Sequence, residues 1–400
     1  MANTFITNKL TDYVALRLGE NLGYLTVGSR KYFTNQLEGK RNGQTYDFIL
    51  RGATEAVNRL EIDPTTDNLD IVEKKISLTL DPWHVAVRSS SLDPICETDW
   101  DKAVAIPQGA KLANGIVRSQ IKKDLGSCAT AFVGSGFVPL AKASAHLQSI
   151  SNEKIYGFLH GSAQAVLTSN GQSFQPVGAL DSFYKNGLLG TFQNCEYRAQ
   201  RFMPQVIVPA DLVTACDSAT VTSYTPGTDY DTVVLSLGSY SGKVPAGFVF
   251  HMANVWAADL IGDPTANLYA FIITEDATAT SGTVSVKVKP VIFEGGAKSI
   301  VKDDGTEWTA AELANAVVST PCEAGTYFSA VLRLDGAYEA EWLDHLDASN
   351  SETKYGHVNG ITTIENRVFD PMKMTNLTRW DVVKLAGVVE PRGCAFVLVK

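Results

Sequence analysis

Six cysteines stand in 400 residues, none at zinc spacing and none as CxxC, so neither a disulfide framework nor a zinc site can be read from them. Cys96, Cys128, Cys195, Cys216, Cys322 and Cys394 are expected as buried free thiols. No apolar run approaches the roughly 18 residues that cross a bilayer. The opening MANTFITNKLTDYVALRLGENLG has no basic start, apolar stretch or small-residue cleavage site, so no signal peptide is read. A soluble chain made in a reducing cytoplasm is the expectation. Basic residues are the minority: 34 Lys and Arg against 43 Asp and Glu give a net charge of -9, with no basic tail at either end. That balance argues against free nucleic-acid binding over a wide surface, which needs a basic footprint.

Catalytic signatures are equally scarce. His84, His146, His160, His251, His345 and His357 lie far apart, with no HExxH or HxH. His345 with Asp344 and Asp347, in EAEWLDHLD, has metal-ligating types, but so acidic a stretch reads first as a solvated face. His251 alternates within a strand pattern and reads as structural. GxSxG and the Walker sequence are missing. Gly134 and Gly136 in VGSGF do not complete a dinucleotide fingerprint and are expected in a turn between helices. Asp303 and Asp304 in KDDGT spell a β-turn. The six tryptophans are dispersed, not gathered as a carbohydrate platform. No catalytic residue, cofactor or metal is assigned, and the chain is not read as an enzyme.

What the sequence does have is β pattern set inside α/β pattern. The stretch 243–296 holds three strand-like runs: Phe248 to Met252, Tyr269 to Thr274, and Thr283 to Val291. In the last, Val284, Val286 and Val288 alternate with Ser285, Lys287 and Lys289, the period-two signature of a half-buried strand. Gly262, Pro264 and Gly282 punctuate the gaps, so short antiparallel strands in a compact barrel or sandwich are expected.

Five segments follow from the chain in order: an arm (1–35), an extended hairpin (36–98), a long helix and the first part of an α/β body (99–209), the inserted β domain (210–300) and a return to the body (301–400). The arm has a loose helical stripe at Leu10, Tyr13, Val14, Leu16, Leu18 and Leu22. The hairpin joins a strand at Thr45 to Leu50 to a strand pair at Lys75 to Val87, broken at Asp81-Pro82, through a polar, acidic loop. Hairpin edges of this kind need a partner. Val104, Leu112, Ile116, Val117 and Ile121 share one helical face; Pro107 is expected at its first position and Gly126 as its stop. Further helices are expected at 138–150, 161–167 and 307–317, and strands at 326–334, 367–369, 381–389 and 394–399.

This order of parts resembles the tailed-bacteriophage major capsid proteins of the Hong Kong 97 fold, and among them the short-tailed phage coat proteins with an inserted β-barrel. The local likeness lies in VPAGFVFHMANV, LYAFIITEDATAT and TVSVKVKPVI, preceded by LGTFQNCEYRAQRFMP and followed by YFSAVLRLDGAY and TRWDVVKLAGVVEP. The resemblance covers roughly residues 100–400 and rests on order, not on any one motif. It implies an α+β capsid fold in which the hairpin is the E-loop, 99–126 the spine helix and the body the P and A domains. It also implies a subunit that assembles with itself as hexamers and pentamers into an icosahedral shell around double-stranded DNA. Portal and scaffolding proteins, and a decoration protein, are the partners such a shell implies, with the virion as location, assembly in the host cytoplasm and no membrane. No lysine–asparagine cross-linking pair is placed. The loop AADLIGDPTAN (257–267) is the candidate intersubunit contact, where Asp259 and Asp263 would pair with basic residues of a neighbour; a solvated turn is the alternative. Three other readings stay open: an encapsulin-type nanocompartment shell, a β-rich binding module on an α/β domain, and a hydrolase using His345 or His160.

Overall fold

The computed structural model describes residues 14, 22–27, 29–30, 45–51, 73–90, 100–163, 165, 188–192, 194–292, 298–342, 352–358, 361–370 and 372–400. The chain divides into two compact units, one of residues 1–46, 77–120 and 339–387, the other of 47–76, 121–338 and 388–400. The fold is α+β and rich in strands, with few helices.

In the first unit an antiparallel sheet is centred on the 14-residue strand Thr375–Val388. Its neighbours are Tyr338–Trp342, Ile361–Asp370 and Asp81–Ser90, and Glu352–Val358 pairs beyond Ile361–Asp370. β-branched and aromatic residues favour this pleated, packed surface. Residues 380–385 are buried without interruption, so the strand is covered on both faces there, whereas Leu377 and Arg379 alternate outward nearer its start. The Glu365 carboxylate, buried in the middle, is paired on both oxygens. Trp380 faces Glu365 across the ladder, and its indole N–H donates to Glu365 Oε2 at 3.0 Å. Arg367 Nε donates to the other oxygen at 2.6 Å.

Helix α1, Trp100–Asp124, runs 25 residues, about 38 Å at 1.5 Å per residue. It differs from the expected helix starting at Pro107: the proline sits inside one continuous helix. Pro107 and Ala103 are both exposed, so the carbonyl that the proline cannot bond is left facing water. Ala105 is fully buried, which holds the leading turns in the same stripe as Leu112, Ala113, Ile116 and Val117.

Strands Thr45–Arg51 and Glu73–Thr79 form a two-stranded sheet of their own. Leu80 breaks the second strand from Asp81–Ser90, one residue before the expected Asp81-Pro82. The joining loop, 52–72, lies outside the described residues, as does the stripe of the arm apart from Val14 and Leu22.

The second unit has a mixed sheet in the order Thr130–Gly134, Cys394–Val399, Gly325–Leu334, Ile155–Leu159, Cys195–Ala199, Leu188–Phe192, with Gln205–Val208 also on Gly325–Leu334. Every residue of Cys394–Val399 is buried. Helix α2, Val138–Ile150, buries Leu140, Ala143 and Leu147 and packs on Thr130–Gly134 and Cys394–Val399. VGSGF therefore follows a strand and leads into a helix, correcting the expected turn between helices. Gly136 takes φ +69 to make that turn.

Val208 pairs directly with Gly325. The chain thus leaves this sheet and rejoins it at one point, and residues 209–324 are spliced in between. They build a six-stranded antiparallel sheet in the order Thr220–Thr225, Asp231–Ser236, Thr283–Lys289, Phe271–Ile273, Val249–Met252, Val318–Ser319. Its first and last edges are joined by Val221 N to Ala316 O at 3.0 Å, Asn315 N to Val221 O at 2.8 Å and Val318 N to Ala219 O at 2.9 Å. Val284, Val286 and Val288 are buried while Ser285 is exposed, as the alternation predicts. Phe250 stacks on Phe271 with centroids 5.4 Å apart.

The helix expected at 307–317 does not form. Thr309 and Glu312 make a capping-box contact, Thr309 N donating to Glu312 Oε2 at 2.9 Å. The chain then turns out at Asn315, φ +69, because Val317 and Val318 are drawn into pairing with Thr220 and Met252. Residues 161–167 are helical at 161–163 and 165, and the remainder falls outside the described residues. Of the helical turn that the sequence suggests at 181–190, residues 188–190 instead open the strand Leu188–Phe192, and 181–187 fall outside the described residues.

Candidate functional site

The loop singled out in the sequence is a tight turn between strands Trp256–Ala258 and Pro264–Leu268 in the second unit. Asp259 builds it. Its Oδ1 accepts from the backbone N–H of Ile261, Gly262 and Asp263 at 2.9, 2.9 and 3.0 Å. Asp259 N donates to Asp263 O at 2.8 Å and closes the loop. This is how a short carboxylate substitutes for a backbone turn. Gly262 supplies φ +99, strained for any L side chain. Pro264, with no N–H to offer, opens the outgoing strand.

The turn is also anchored from below. Arg392, 3 % exposed, donates through Nη1 to the carbonyls of Asp259 (3.1 Å) and Lys298 (3.3 Å). Glu390 fixes the guanidinium with two bonds of 2.8 Å, the forked geometry that suits arginine and carboxylate.

Asp259 and Asp263 therefore have different parts. Asp259 is half-buried, with one oxygen committed to the turn. Asp263 is exposed, and its carboxylate has no partner among the described residues. Between them Ile261 is 59 % exposed, an apolar side chain at the tip of a rigid turn. Sequence reasoning passed over it, although an isoleucine between Asp and Gly in a turn was a visible signal.

Beside the turn lies a cleft of about 490 Å³ whose other wall is α2. Lys142, Ala145 and Ser149 line it from the exposed side of the helix, and Phe132 and Ile150 add apolar surface. His146 stands between the walls. Its Nδ1 accepts from Asn267 Nδ2 at 2.9 Å, so the proton of the neutral ring is on Nε2. Nε2 is buried and has no hydrogen-bond partner among the described residues. Burial pushes the His146 pKa down to about 4.

That shift predicts acid sensitivity. An unfolded histidine titrates near 6.5 and this one near 4, so between those values the unfolded chain binds more protons. The stability is intact above about pH 6.5 and is lost as pH falls through 5 towards 4. About 2 kcal/mol should be gone by pH 5, at 1.36 kcal/mol per unit. Urea unfolding at pH 7 and pH 5 measures this, and His146→Gln should flatten the difference by about that amount.

The other histidines do not gather. His160 accepts from Ser162 N at 3.0 Å and stacks on Phe328, and His251 is buried against the Tyr269 carbonyl. His84 is exposed on its strand. The side chain of His357 and the stretch with Asp344, His345 and Asp347 lie outside the described residues. No three His, Cys, Asp or Glu residues are clustered for a metal among those described. Cys128, Cys195, Cys216, Cys322 and Cys394 are buried free thiols; burial drives Cys195 and Cys216 up to about 12 and Cys322 to about 11, far from a reactive thiolate. Asp304 accepts from Thr306 N at 2.9 Å in the expected turn. No helix among the described residues is long and apolar enough to cross a membrane.

No known family profile matches this chain, and no curated protein does. Solved structures do resemble it. They include phage capsids. The capsid of the cyanophage P-SCSP1u is 9% identical over 93% of this chain and 89% of that one, with a TM-score of 0.44. The capsid of Ralstonia phage GP4 is 7% identical, covering 91% and 85%, with a TM-score of 0.45. A virus-like particle from Pyrococcus furiosus is 6% identical, covering 97% and 98%, with a TM-score of 0.39. Overlaps this loose, at such identities, fix neither fold nor function.

Proposed function

We propose that this chain is a major capsid protein of the Hong Kong 97 type, which assembles with itself as hexamers and pentamers into the icosahedral shell around a tailed phage's double-stranded DNA. The observation that carries the reading is the splice at Val208 and Gly325, which sets a separate β domain into a mixed body sheet. In this reading the edge-joined sheet is the inserted barrel, α1 the spine helix and the pair Thr45–Arg51 with Glu73–Thr79 the root of the E-loop. The segment boundaries are those read from the sequence, with the barrel carried on to Val318–Ser319. The order of motifs in the sequence is the second support.

A shell closes by many repeated contacts. Specific interfaces bury about 1,200–2,000 Å², and projecting strands supply such area without enlarging a core. A net charge of -9 suits a wall that should not grip packed DNA, because weak phosphate contacts multiply over many copies. The shell is located in the virion, is assembled in the host cytoplasm, and implies portal and scaffolding partners and a place for a decoration protein. Asp259 and Asp263 mark the intersubunit contact, Asp259 by shaping the turn and Asp263 by offering its charge.

Size-exclusion chromatography with negative-stain microscopy tests the reading: closed particles are expected, and a compact monomer at every concentration would refute it. Asp263→Lys should lower particle yield several-fold while leaving the monomer's thermal midpoint unchanged. Unchanged yield would return Asp263 to the role of a solvated turn residue.

A further inference from the structure

We propose that the 259–263 turn and the cleft beside α2 are the two halves of one self-complementary contact between copies of this chain: Ile261 of one copy seats in the cleft of the next, and Asp263 pairs with that copy's Lys142. The inference rests on the shell reading and names the partner surface within it.

Three features of the second unit carry it. The first is a preformed knob. Ile261 is 59 % exposed on a turn fixed by three bonds to Asp259 and by Arg392 beneath, so presenting it to a partner costs little further ordering. The second is a hole of about 490 Å³ alongside, with Phe132, Ala145 and Ile150 as apolar lining. The His146–Asn267 bond ties its two walls together, and with the ring neutral near pH 7 it adds no charge to compete with Lys142. The third is charge. Asp263 is exposed and unpaired among the described residues, and Lys142 stands exposed on the cleft with no ion pair there. Opposite charges across a rim fix register and partner choice.

Knob and hole share one surface and one wall. A contact in which each copy supplies both is therefore isologous, the self-complementary arrangement of a two-fold pair, and each pairing is made twice. The same geometry leaves Asp259 out of the cross-copy pair, because its work is the turn.

Cysteine trapping tests the contact directly. Ile261→Cys and Ala145→Cys are made in separate full-length chains of distinguishable mass, both at exposed positions. They are mixed under assembly conditions and oxidised with a disulfide reagent: two thiols lose two electrons and two protons to the reagent and form one S–S bond. A heterodimer on non-reducing gels is expected. Val138→Cys, exposed on the same helix but outside the cleft lining, should give none with Ile261→Cys. In parallel, Asp263→Lys and Lys142→Glu should each raise the concentration needed for assembly several-fold, and the two together should restore it. Particles that form without the cross-link and without charge rescue would overturn this contact and leave the shell intact. A specific cross-link in a chain that stops at dimers would uphold the contact and sink the shell. A chain that stays monomeric with no cross-link would end both.

Discussion

Asp231→Ala is expected to cost about 3–5 kcal/mol, enough to threaten folding of the inserted sheet. Asp231 is fully buried. Its Oδ2 accepts from the Tyr224 hydroxyl at 2.5 Å and from Ile292 N at 3.0 Å, and its Oδ1 from Gly227 N at 2.8 Å. One carboxylate thus holds the turn between Thr220–Thr225 and Asp231–Ser236 to the segment leaving Thr283–Lys289. Alanine removes the acceptor and leaves the donors behind, each costing about 1–3 kcal/mol if buried and unpaired. Asp231→Asn keeps an acceptor oxygen and should lose about half as much. Urea midpoints of the three chains check the ranking. An alanine variant as stable as the parent would mean that the donors find water, and that the sheet is looser there than its geometry indicates.

Asp231 also shows where the sequence was legible and where it was not. The strands around it were readable, because alternation at Val284, Val286 and Val288 is a local signal. The closing acidic position at the head of Asp231–Ser236 was not, because its partners lie 7, 4 and 61 residues away and only the fold brings them together. The same division holds at the candidate site. AADLIGDPTAN announced a turn through its Asp, Gly and Pro, but the cleft beside it depends on His146, 121 residues from Asn267. The errors at Pro107 and at 307–317 have one origin. Local helix signals carry no tertiary pull, which in the first case extends a helix through a proline and in the second draws the chain out of a capped turn into a strand edge. VGSGF failed differently: its strand, Thr130–Gly134, is too short to declare itself until Cys394–Val399 lies beside it in parallel.

In the first unit, Lys384→Ala should cost a similar 3–5 kcal/mol, by another route. Lys384 is 1 % exposed, and its ammonium donates to Gln120 Oε1 at 2.5 Å and pairs with Asp81 at 3.2 Å. Asp81 lies opposite it in the strand register. Gln120 in turn donates to Ala386 O at 3.1 Å, so one buried cation joins α1 to two strands. Burying an ion pair gains little over a well-packed apolar pair, but removing one partner strands the other's charge, which is where the loss arises. That mechanism makes a sharper prediction than the loss itself. Lys384→Met combined with Asp81→Asn should be more stable than Lys384→Ala alone by about 1–2 kcal/mol, because no uncompensated charge remains and most of the volume is kept. Were the double variant no better than the single one, the contribution of Lys384 would be packing of its stem against the long strand, and the charge incidental. If the hydrogen-bonded cation matters, the variants should also differ in salt response. The single variant, in which Asp81 keeps its charge but has lost the Lys384 ammonium, should respond more strongly to added salt than the double, in which that charge is gone.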